Sequence, residues 1–120
     1  MEVVLANGVA SQSPIFEMIR ELSYRDDFNE NVGKRTLIII SDMMHHTAQY
    51  SQYKNNNNYE QFSQEPYAEE VIVNLNSMDV KIVYLLRDKL GSIQGKGHLS
   101  FWEEYFEDMG AEVAEVRRVR

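Results

Sequence analysis

An α/β fold on a small, mainly parallel sheet is predicted by three observations. The run "TLIII" at 36–40 is rich in β-branched residues and has no polar alternation. That is the pattern of a strand covered on both faces, as strands of parallel sheets are. "KIVYLL" at 81–86 repeats it. Segments of helical periodicity separate and follow these runs, and such alternation implies layered packing with right-handed crossovers.

Each element follows in chain order. "EVVLA" at 2–6 is ambiguous and suits a short strand. Ser13 followed by Pro14 forms a helix start, because proline lacks only an N–H that would go unpaired there. Ile15, Met18, Ile19 and Leu22 then recur at helical spacing, predicting a helix over 14–24 that "RDDFNENVGK" ends. A strand over 35–41 comes next. "QYSQYKNNNNYEQFSQEPY" is rich in Asn, Gln and Tyr and reads as a long loop, with a short helix expected over 68–75. The strand at 81–86 begins at Val80 or Lys81, and a glycine-containing loop follows it. Leu99, Trp102, Tyr105, Phe106 and Met109 form the apolar stripe of a helix over 98–109, with acidic residues opposite and Gly110 as its C-cap. "AEVAEVRRV" suits a partly solvated edge strand at 112–119. Residues 1–120 are expected to form one domain, without internal repeats.

The strand inventory raises a problem. If sequential strands are neighbours, the order is 36–41, 81–86, 112–119, and the most apolar strand lies at an open edge. Exposed apolar edges invite pairing with another chain. Three remedies exist: "EVVLA" pairs there, a second copy pairs there, or the chain belongs to a larger domain.

Composition narrows the function. A formal charge of −7 opposes a sequence-independent grip on nucleic acid, which needs the opposite field. The terminal "RRVR", Arg117 to Arg120, reads as a solvated chain end. There are no cysteines, so disulfides and thiolate metal sites are excluded, which agrees with a reducing compartment. No secretory signal or membrane-length apolar run is present, and a cytoplasmic location is expected.

The junction "TLIIISDMMHHT" is the candidate site. In open parallel α/β sheets, ligands gather beyond the carboxyl ends of the strands. Asp42 sits at such an end, where a carboxylate can hold a hard cation such as Mg²⁺; ending the strand and capping a turn is the alternative role. His45 and His46 are adjacent, lack the i, i+4 spacing of a helical zinc pair, and read as hydrogen-bonded or solvated loop residues. His98 follows "GKG" at a helix start, where backbone N–H groups and Lys96 can attract an anion, although no Walker frame is present. No nucleophile elbow, H-E-x-x-H or G-x-G-x-x-G occurs.

"GKRTLIIISDMMHHT", a tyrosine-rich loop, "VKIVYLL" and "HLSFWEEYFEDMGAEV" together resemble the second half of a von Willebrand factor A-like (vWA) domain, as in bacterial members of undefined function. The resemblance spans residues 11 to 119 and implies a three-layer, Rossmann-like fold, here partial. It also implies a metal-ion-dependent adhesion site, with Asp42 matching the aspartate after the fourth strand. Ser11 and Ser13 stand where the family's threonine would be, and Mg²⁺ is the implied cofactor. The family's Asp-x-Ser-x-Ser motif occurs nowhere, so the implied site is incomplete. The chain is accordingly expected to be a piece of a longer domain or a half-domain that self-associates.

Three functions follow. The leading expectation is a non-enzymatic protein-binding module, taking a protein partner or self-associating through the open sheet edge. Tyr50, Tyr53, Tyr59 and Tyr67 would serve as contact residues. The alternative is a metal-assisted phosphate-ester hydrolase using Asp42, with His45 or His46 as general acid or base. A purely structural dimer is the third.

Overall fold

The computed structural model describes residues 2–6, 14–25, 34–53 and 57–120. Its elements are β1 (Glu2–Ala6), α1 (Ile15–Ser23), β2 (Arg35–Ser41), α2 (Tyr59–Ser63), α3 (Pro66–Glu70), β3 (Met78–Leu85), α4 (Lys96–Asp108) and β4 (Glu112–Val119), with a 3₁₀ turn at Asp88–Leu90. The strands form one four-stranded sheet in the order β1-β2-β3-β4, every pair parallel. This is the predicted α/β class, with a Rossmann-like, all-parallel sheet.

The first of the three remedies is the one adopted. β1 lies along β2 in parallel register, Val4 opposite Ile38 and Ala6 opposite Ile40. The most apolar strand is therefore interior, and five N-terminal residues occupy the position where it would otherwise be bare.

Alternation along the strands separates two faces. Leu37 and Ile39 of β2 and Val80, Ile82 and Tyr84 of β3 are buried on one face, with α1, α2, α3 and α4 contributing to the same core cluster. Ile38 and Ile40 of β2 and Val83 and Leu85 of β3 point to the other face, are half-buried, and stand outside that cluster. Val4, on the same second face, is 54% exposed.

The predicted stripe of α4 is buried in full, and Phe101 joins it. Gly110 ends this helix at φ 95°, a left-handed conformation that favours glycine. A Cβ there would lie 2.1 Å from Asn76 Oδ1, so the position also needs the missing side chain.

The Asn/Gln/Tyr-rich stretch departs from its expected loop character. The Asn58 side chain accepts the Gln61 N–H at 3.1 Å and starts α2. Pro66 sits in the first turn of α3. This helix occupies 66–70 rather than 68–75, and the chain from Ile72 to Leu75 is irregular. Tyr50, Phe62 and Tyr67 are buried around Phe16, so these two tyrosines are core residues and not the contact residues expected of them. Tyr53 is 48% exposed. No helix among the described residues is long and apolar enough to cross a membrane.

Candidate functional site at the carboxyl end of β2

β2 ends in two consecutive side-chain turns. Ser41 Oγ accepts the Met43 N–H at 2.9 Å, and Asp42 Oδ1 accepts the Met44 N–H at 3.0 Å. Short polar side chains bond the backbone two residues on in this way and break a strand sharply. Between them Met43 takes φ 58°, uncommon for a residue with a side chain. The second carboxylate oxygen is also committed: Arg87 Nε donates to Asp42 Oδ2 at 3.1 Å, with only 16% of the Asp42 side chain exposed. The Gln94 amide stitches the same corner, donating to the carbonyls of Asp42 at 3.2 Å and Leu85 at 2.9 Å. Its oxygen accepts the Arg87 N–H at 2.9 Å.

The unusual Met43 conformation is held by a buried clasp. Its carbonyl accepts hydrogen bonds from His98 Nε2 at 2.8 Å and Trp102 Nε1 at 2.9 Å. A carbonyl partner requires the proton on His98 Nε2, which leaves Nδ1 to accept from Tyr84 Oη at 2.5 Å. Burial lowers the His98 pKa to about 4, even though the Met43 carbonyl and Asp42 pull it upward. His98 thus stays neutral at physiological pH. It fastens the end of β2 to α4.

His45 is equally fixed. It is fully buried, and its Nδ1 accepts the Phe16 N–H at 3.3 Å. The first N–H groups of a helix have no partner within it, and here an imidazole from the loop after β2 supplies one. α1 has no side-chain cap at Pro14; Ser13, the predicted cap, lies outside the described residues. With Nδ1 accepting, the neutral ring carries its proton on Nε2. That nitrogen faces Tyr67 Oη and Thr47 Oγ1, each at 3.3 Å, and Tyr67 in turn donates to Glu17. Burial, and secondarily the neighbouring His46, lower the His45 pKa to about 3. Glu17 pushes the Tyr67 phenol further upward than burial alone does. A polar cavity of about 280 Å³, lined by Glu17, Arg20, Thr47, Gln49 and Tyr67 among others, opens beside this cluster.

These tautomers limit the chemistry. A general base must offer a lone pair to the proton it removes. His45 offers Nε2–H outward and spends its lone pair on the backbone of α1. His46, half-buried, bonds Ser51 Oγ through Nδ1 at 2.7 Å. The charged partner of Asp42 is a cation rather than the second carboxylate a hydrolase needs. Among the described residues no group of three or more His, Asp or Glu side chains could hold a metal.

Of the residues implied as metal ligands, Asp42 is a strand-ending side chain paired with Arg87, whereas Ser11 and Ser13 lie outside the described residues. A Mg²⁺ ion would have to displace the guanidinium and find most of its oxygen ligands elsewhere. The donors among the described residues do not fit it. Asp42→Ala is expected to cost about 1–2 kcal/mol, from one lost turn hydrogen bond and a partly exposed ion pair. Asp42→Asn, which keeps the turn, should cost less. Millimolar Mg²⁺ should leave the wild-type Tm unchanged, and a Mg²⁺-dependent rise abolished by Asp42→Ala would restore the metal to this corner.

The partners that define these roles lie far away in sequence. Arg87 is 45 residues from Asp42, and Phe16 is 29 residues from His45. Neither carries a local motif. No protein-family model, curated protein or solved structure matches the chain.

Proposed function

We propose that this chain is a non-enzymatic protein-interaction module of the vWA-like kind, working in the cytoplasm, and that its contact surface is the second face of the sheet. One observation carries the reading. Among the described residues, Ile38, Ile40, Val83 and Leu85 lie on interior strands of an all-parallel sheet, yet stand outside the core cluster, with Val4 exposed beside them. Parallel sheets are covered on both faces, and an open apolar face marks an interaction surface. The corner at Asp42 gives the enzymatic alternative no support, because its carboxylate pairs with Arg87, the His45 lone pair is spent on the Phe16 N–H, and His46 bonds Ser51.

The absence of cysteine supplies a direct test, since one introduced thiol reports one position. In dilute native protein, Val83→Cys should react with a maleimide within about tenfold of the unfolded rate, while Ile82→Cys on the core face stays protected. Protection of Val83→Cys at every dilution would mean the chain covers this face itself, and the reading would fail. Phosphate-ester turnover with Mg²⁺ or Mn²⁺ that Asp42→Ala abolishes would equally overturn it.

A further inference from the structure

We infer that the occupant of the second sheet face is a second copy of this chain, packed sheet on sheet about a two-fold axis that runs across the strands. The inference rests on the reading of that face as open. Strand register fixes its layout. From the amino to the carboxyl ends, the rows are Glu2–Thr36–Asp79–Glu112, Val4–Ile38–Lys81–Glu115, Ala6–Ile40–Val83–Arg117 and Leu85–Val119.

Acidic side chains therefore predominate in the first two rows, with Lys81 set among them and Lys34 3.8 Å from Asp79. The basic side chain of β4 on this face, Arg117, lies in the third row. Apolar side chains fill β1 and β2 between these ends. The face is charged unevenly along the strands, and that is what selects an orientation.

A two-fold axis between the second and third rows reverses the strands and keeps each strand over its own counterpart. Glu115 of one copy then faces Arg117 of the other, and the symmetry makes this pair twice. Ile38 faces Ile40 and Val4 faces Ala6, again twice each. Lys81 lays its aliphatic stem on Val83 of the second copy. An axis along the strands would instead set β1 over β4, placing Val4 against Glu115 and Ala6 against Arg117. The first arrangement joins opposite charges on β4 and apolar side chains on β1 and β2, although it sets Asp79 and Glu112 of the first row against Leu85 and Val119 of the fourth. The second sets the apolar side chains of β1 against charges on β4, so the first is the one that suits an isologous interface. Sheet-on-sheet packing of this kind keeps strand directions within about 30°.

Glu115 and Arg117 are exposed on an edge strand, so exchanging them tests the interface with little risk to the fold. Light scattering should give a dimer of the 14.0 kDa chain. Arg117→Glu and Glu115→Arg should each weaken it by about tenfold or more. The double exchange should restore it, and mixing the two single variants should produce a heterodimer. Labelling of Val83→Cys should slow as protein concentration rises.

A dimer indifferent to both charge reversals would be using another surface, which overturns this inference. A monomer whose Val83→Cys labels fast at every concentration would also overturn it, leaving the open face to a different protein. A monomer whose Val83→Cys labels slowly at every concentration would remove the open face and both readings with it.

Discussion

Phe16→Ala is expected to destabilise the chain by about 3–5 kcal/mol, a large part of the roughly 5–15 kcal/mol that holds a domain of this size. The ring is fully buried and lies within 6.3 Å, centroid to centroid, of seven other rings. Phe62 stacks on it at 5.0 Å, Trp102 lies at 4.7 Å, and Tyr105 meets it edge-on at 4.9 Å. It is the hub that joins α1 to α2, α3, α4 and the loop after β2. Truncation leaves a cavity whose walls come from four separate segments, so collapse around it is poor. Urea unfolding should show a midpoint shifted strongly downward, with Phe16→Leu intermediate. A loss below about 1 kcal/mol would contradict this packing.

Acid should unfold the protein well above the pH at which its carboxylates titrate. His45 and His98 have folded pKa values of about 3 and about 4, against 6.5 for a free imidazole. Between these limits the unfolded chain binds protons that the folded chain refuses, so stability must fall as pH falls. The contribution is complete above about pH 6.5 and declines below it. The loss ends near pH 4 for His98 and near pH 3 for His45. Each histidine adds a slope of at most about 1.4 kcal/mol per pH unit. Tm measured from pH 7.5 downward should drop steeply below about pH 6. His98→Gln should be less stable at neutral pH but show a shallower slope. A flat Tm between about pH 7 and 5 would mean that these imidazoles are not buried neutral.

Local chemistry made much of the fold legible. "TLIII" and "KIVYLL" read as interior strands because their side chains admit little else, and the stripe of α4 declares its buried face through spacing alone. Gly110 is legible for the same reason. Tyr50 and Tyr67 were not, because surrounding Asn and Gln give them the composition of a loop. Their burial depends on Phe16, which meets them only in three dimensions. Asp42 was legible as the end of a strand but not as a partner of Arg87. The role of His45 as a cap for α1 was hidden likewise, since nothing near "MMHHT" indicates which helix it serves.

The short strand β1 has a bearing on how safely this chain can be handled. It contributes few core side chains, Val3 and Leu5 being only partly buried, yet its backbone satisfies the outer edge of "TLIII". Proteolysis that removed β1 would leave most of the core intact while baring an uncharged, strongly β-prone segment. Such segments template their own stacking into fibrils. Glu2–Ala6 therefore acts as a gatekeeper, and an intact β1 guards against aggregation more than it adds to the folding energy.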